Sequence, residues 1–278
     1  MKVIAGVNRF IGLFVDTIKE FRRGRIWLLL FSYFLLNWLV LYAHYSFISR
    51  VFYGFIKFWT GLFGNQQAVG FAHYPGHFLL LSYFFGWAKF FLGIIVEGAV
   101  LGAAALMFYG GFLDVSKEER SPLGTVFSSW IHLVLAWTLT NGLILLVNLQ
   151  FPKLLEPWLA GSPRRIMVFE FVVQPFIYAV ILAVFFFIIP RSAVYKEKFH
   201  KPLKRTLRIF VGNPFTCFFL SLDVLAAPIS ISISASCSAE IVEKFKPELV
   251  YWLLLAGLAA DVLFLLLLDR HGGPLAGR

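Results

Sequence analysis

Residues 191–240 read RSAVYKEKFHKPLKRTLRIFVGNPFTCFFLSLDVLAAPISISISASCSAE. The part from Arg191 to Arg208 holds seven Lys or Arg against one acid, Glu197. The chain then turns apolar at Ile209 and Phe210, passes Pro214, and carries one carboxylate, Asp223, inside Phe215–Ala227. It continues through Pro228 into an alternating Ser/Ile run. A basic head joined to an apolar body suits a bilayer, with the cations at the headgroups and the body in hydrocarbon. Water would be a poor solvent for that body.

The rest of the chain follows the same logic. Its 278 residues are 59% hydrophobic and only 14% charged, with 33 Phe and a mean hydropathy of +0.79. Soluble domains carry about 25% charged residues, and this deficit leaves too few charges to cover a water-facing surface. The sequence therefore predicts an all-α polytopic membrane protein, with residues 1–278 as a single membrane domain. The formal charge of +10 does not indicate nucleic acid, because the cations flank apolar spans and form no basic domain of their own. The expected partners are the lipid bilayer and its anionic headgroups, with a membrane-protein partner as a further option. Cys217 and Cys237 stand twenty positions apart, roughly 30 Å along a helix, which is far beyond disulfide reach.

Taken in order, residues 3–23 place Ile4, Val7, Ile11, Phe14, Ile18 and Phe21 on one helical face. This predicts an interfacial amphipathic helix over 1–25, and no cleavable signal peptide. Six spans are expected, at about 26–47, 90–113, 125–149, 166–189, 213–235 and 249–268. Ile48–Gly64 is short for a span and reads as an interfacial or re-entrant segment. The apolar run His77–Leu113 is 37 residues, too long for one perpendicular span, so a break is expected at Gly86 or Gly93. Ser121-Pro122 supplies a cap and a first-turn proline for the third span. Phe151–Arg165, with three prolines, reads as a loop containing a short amphipathic piece, and Pro190 is expected to end the fourth span.

With the N-terminus inside, seventeen Lys and Arg fall on the cytoplasmic side and seven on the other, Lys89 being left uncounted. The positive-inside rule then puts both termini in the cytoplasm of a cell (inner) membrane. Thr17-Ile18-Lys19-x-Phe21 and Thr206-Leu207-Arg208-x-Phe210 share a spacing that suggests a repeat, with each surface helix feeding a two-span hairpin. Lys204, Arg205 and Arg208, followed by Asn213 and Pro214, lead into span five. In this entry pattern and in its layout the chain resembles a loose group of uncharacterised bacterial six-helix inner-membrane proteins. The group includes the membrane domain attached to some glycerophosphodiester phosphodiesterases. The resemblance implies a helical bundle resident in the membrane. It does not imply the phosphodiesterase activity, which belongs to a soluble domain that these residues do not contain.

Four acids fall within expected spans: Glu97, Glu170, Asp223 and Asp261. Glu97 and Glu170 start their spans near the outer side, within reach of headgroups. Asp223 and Asp261 lie near the midplane of consecutive spans, where carboxylates are costly. Two readings stand: a proton- or ion-coupled site sharing one proton or cation, or an internally hydrogen-bonded pair that fixes helix packing. Ser230, Ser232 and Ser234 belong to the alternating run, read as a Pro-kinked helix or as an unwound half-helix beside Asp223. The candidate lipid-binding cations are Lys196, Lys198, Lys201, Lys204, Arg205 and Arg208, with Arg22, Arg23 and Arg25 before span one. His44, His73 and His77 share the outer side, but Pro75-Gly76 breaks the helix that would align the last two, so no metal site is expected. Gly98-x-x-x-Gly102 predicts close helix contact. There is no P-loop, HExxH, GxSxG or Cys–His pairing, and neither a catalytic residue nor a cofactor is assigned. The expected role is that of a non-catalytic accessory or scaffold on anionic lipid. The alternative is a small proton- or ion-coupled transporter.

Overall fold

The computed structural model describes residues 24–47, 49–109, 122–185, 187–195, 199–225 and 238–276. In chain order the helices are α1 (Gly24–Tyr45), α2 (Arg50–Gly61), α3 (Asn65–Phe71), α4 (Gly76–Tyr109), α5 (Pro122–Leu154), α6 (Glu156–Leu159) and α7 (Pro163–Val168). A π-helical turn, Phe169–Val173, joins α7 to α8 (Gln174–Phe185). There follow α9 (Ile188–Tyr195), α10 (His200–Gly212), α11 (Pro214–Val224), α12 (Ser238–Lys244) and α13 (Leu249–Ala276). No strand occurs among the described residues.

Four stretches are long and apolar enough to cross a membrane: Ile26–Tyr45, Gly76–Met107, Val126–Leu154 and Arg164–Tyr195. A shorter apolar stretch, Leu249–Val262, opens α13. The chain is thus all-helical and compatible with an integral membrane protein. In α1, Leu28, Phe31, Leu35 and Leu39 face outward while Leu30, Tyr33 and Leu41 are buried, so the helix is apolar on both faces. A helix hydrophobic all round, with one side unburied, is made for lipid. Its polar side chains turn onto their own backbone: Ser32 Oγ donates to the Leu28 carbonyl at 2.8 Å and Asn37 Nδ2 to the Tyr33 carbonyl at 3.0 Å. Each such bond removes a donor that hydrocarbon could not satisfy.

The chain divides into two compact units. One comprises 28–93 and 226–263 and is built on rings. Leu41, Phe47, Ile56, Phe71, Phe84 and Leu254 belong to its core, together with Phe78, Leu81, Val250 and Leu258. The other comprises 1–27, 94–225 and 264–278. There the glycines of α4 lie close against α5. A Cβ at Gly98 would sit 2.9 Å from the Leu133 carbonyl oxygen, and one at Gly102 2.9 Å from Leu133 Cδ1. That is the close approach expected of the small-residue face.

Several expectations change. The helix expected to break at Gly86 or Gly93 runs unbroken from Gly76 to Tyr109. A helical glycine costs only about 1 kcal/mol, which a 34-residue apolar helix absorbs. Glu97 consequently lies well inside α4 and not at the start of a span. Pro190 does not stop the chain, because it lies in the first turn of α9, where its missing N–H has no intrahelical partner to lose. Pro122 opens α5 as expected. The expected interfacial helix, apart from residues 24 and 25, lies outside the described residues, as does the N-terminal half of the suggested repeat.

Candidate functional site

Helices α4 and α13 run side by side in the ring-built unit. Near their starts, Tyr45 at the end of α1 lies 4.4 Å from Tyr251 and 6.2 Å from Phe78, ring centre to ring centre. Trp38 Nε1 donates to Tyr251 Oη at 3.1 Å. Eleven residues beyond Phe78 stands Lys89, and ten beyond Tyr251 stands Asp261. The Lys89 ammonium meets the Asp261 carboxylate in an ion pair, with each side chain 15% exposed. Matched steps from ring contact to ion pair mean that the two helices point the same way, at about 1.5 Å per residue.

The pair sits about 16 Å along each helix from the rings, in apolar surroundings. Isolated there, either charge would be expensive; together they cancel, and the pair roughly breaks even against a well-packed apolar substitute. Such a pair holds two helices in one register.

Asp261 was expected to meet Asp223. Asp223 belongs to α11 in the other unit, and its side chain lies outside what the structure describes. Lys89 was missed, although it was legible as the one cation in the apolar run His77–Leu113. Ser230, Ser232 and Ser234 lie outside the described residues, and so do Arg22, Arg23, Lys196 and Lys198. Arg25 falls in α1, with its side chain undescribed.

The remaining cations gather on α10. Lys201, Lys204, Arg205 and Arg208 are exposed, whereas Pro202 and Thr206 are buried and Leu203, Ile209 and Phe210 half-buried. Its sequence, HKPLKRTLRIFVG, contains no acid. A second polar cluster follows the π-helical turn. Gln174, buried, donates from Nε2 to Asn148 Oδ1 at 2.8 Å and also meets Tyr178 Oη, while Ser221 Oγ donates to the Ala179 carbonyl at 2.8 Å. A π turn shifts the register of the helix after it, and here it sets Gln174 against α5. Nothing in residue spacing signalled this network.

His44 and His77 are buried among rings, and His73 is exposed. The His77 ring lies 4.6 Å from Phe47 and 4.5 Å from Phe71. His44 Nδ1 donates to the Val40 carbonyl at 2.7 Å. Among the described residues no three His, Cys, Asp or Glu side chains are grouped to hold a metal ion. Cys217 is a buried free thiol.

No protein-family model, curated protein or solved structure matches this chain.

Proposed function

We propose that this is a six-span membrane protein without catalytic chemistry of its own, anchored on anionic lipid by its basic face and acting as an accessory or scaffold in the bilayer. The observation that carries the reading is α10: four exposed cations, no acid, and an opposite face seated against its own bundle. A cation near an anionic leaflet contributes about 1 kcal/mol, so four together give a clear preference for acidic headgroups. Both termini lie on that face in this reading, and the cell membrane is its site.

The direct test uses the full chain in mixed phosphatidylcholine and phosphatidylglycerol bilayers with spin-labelled lipids. The labelled anionic lipid is expected to be enriched beside the protein over its zwitterionic counterpart. Changing Lys201, Lys204, Arg205 and Arg208 to Gln is expected to remove most of that enrichment. Equal partition of both lipids around the wild type would reject the reading.

The Lys89–Asp261 ion pair favours a second reading, a small proton- or ion-coupled transporter. An ionisable pair within a span is a functional candidate on cost alone. Here the wild type would dissipate an imposed pH gradient across proteoliposomes faster than Asp261→Asn does, and equal rates would remove the idea.

A further inference from the structure

The chain between α1 and α4 takes an unexpected course. It leaves the end of α1 at Phe47, which stacks on His77. Entering α2, Phe52 meets Tyr42 of α1, with ring centres 6.2 Å apart. Seven residues on, Trp59 reaches Phe91 of α4 at 5.7 Å. Phe63 then meets Trp87, Phe84 and Tyr83 at 5.6 to 5.8 Å, and Phe71 at the end of α3 returns to His77 at 4.5 Å. So α2 descends alongside α4 for about 20 Å, as far as the turn that carries Lys89, and α3 climbs back.

Two faces of this hairpin differ sharply. Along α2 and at its C-cap, Val51, Phe55, Phe58 and Leu62 are 81, 61, 68 and 63% exposed, a helical stripe that water would not tolerate. Lys57 directs its ammonium back over Tyr53, one turn toward the start of α2, as a snorkelling lysine does. The tip is the opposite in character. Gly64 turns the chain at φ 110°, a conformation that disfavours side chains, and Asn65, Gln66 and Gln67 follow, all exposed. Gly64 offers no capping side chain to the first N–H groups of α3. Hydrocarbon cannot satisfy three amides and a bare backbone turn at that depth, so they must face water.

We propose that residues 49–75 form a re-entrant hairpin whose lipid-facing side is the α2 stripe and whose tip, Gly64–Gln67, lines a water-filled vestibule. The vestibule opens on the face where α1 ends, reaches the level of Lys89 and Asp261, and admits water and small hydrated solutes. A pocket of about 360 Å³ at the hairpin's base, lined in part by Tyr45, Ser49, Tyr74 and His77, lies on that face. The inference rests on the chain spanning a bilayer, and its test separates the two claims.

The full chain, with Cys217→Ala and Cys237→Ser, is spin-labelled in proteoliposomes through one introduced cysteine at a time. The positions are Leu35 on the outward face of α1, Phe58 on the α2 stripe, and Gln66 at the tip, with Gln67 as a second tip position should the first fail to fold. Collision rates with oxygen and with a water-soluble nickel chelate are read at each. Leu35→Cys and Phe58→Cys are expected to favour oxygen and exclude nickel, while Gln66→Cys favours nickel several-fold over Phe58→Cys. A nickel-shielded tip, whether in lipid or under a second copy, overturns the vestibule. Nickel access at Phe58→Cys with Leu35→Cys still shielded overturns the re-entrant hairpin alone. Nickel access at all three would overturn the membrane-spanning reading itself.

Discussion

Lys89 and Asp261 are each tolerable inside apolar helices because the other is there. A buried charge that loses its counter-ion keeps its desolvation cost and loses its compensation, a difference of about 3–5 kcal/mol. Asp261→Leu or Lys89→Met alone is therefore expected to destabilise the ring-built unit by about 3 kcal/mol. The double change Lys89→Met with Asp261→Leu is expected to stay within about 1 kcal/mol of wild type, since an apolar pair of similar size breaks even with an ion pair. Reversible unfolding in mixed micelles, scored as a double-mutant cycle, measures the coupling. Additive effects would mean that the two groups do not act on one another. Asp261 and Lys89 each stand out by residue type within apolar runs, but their pairing does not. Periodicity reports which residues share a helix face; it cannot say which of several helices comes to lie beside α13, and so does not pair Lys89 with Asp261.

At the scale of elements, Gly98 and Gly102 look alike in sequence and differ in what faces them. A methyl at position 98 would press on a backbone carbonyl, which cannot swing aside, whereas at 102 the first atom met is the tip of the Leu133 side chain. Replacing glycine by alanine within a helix returns about 1 kcal/mol of backbone entropy. Gly98→Ala is expected to be destabilising by about 1–3 kcal/mol despite that gain, because overpacking against backbone outweighs it. Gly102→Ala is expected to come out near zero, with Leu133 moving. Unfolding midpoints of the two variants, compared in one detergent, check the order. The small-residue motif was readable in advance because it depends on composition at fixed spacing. Helix ends were less so: Gly86, Gly93 and Pro190 are breakers by propensity, and apolar length or position within the first turn overrode each of them. For Ile48–Gly64 the sequence supports an interfacial and a re-entrant course alike, since the choice depends on ring contacts with α4 that span up to thirty-odd positions of sequence.

At the scale of the whole chain, the shared direction of α4 and α13 constrains the number of crossings. Two helices that traverse a bilayer in the same sense must be separated by an odd number of crossings. Between them lie two stretches long enough to cross, Val126–Leu154 and Arg164–Tyr195. In the proposed six-span reading an odd count takes a third, and the expected span 213–235 is the one that reading supplies. With α1 the proposed total is six, and the proposal then returns both termini to the face that bears α10. Paired activity reporters inserted at Ser49, Ser162, His200 and Lys246, and fused after Arg278, test each step. Ser49, Ser162 and Lys246 are expected to report the outer compartment, and His200 and Arg278 the cytoplasm. The decisive comparison is His200 with Lys246. If both report the same side, residues 200–246 do not cross, α4 and α13 cannot both span in parallel, and the basic face loses its claim on the C-terminus. If they report opposite sides, a crossing lies between residues 200 and 246, as the proposed span 213–235 with Asp223 inside it requires.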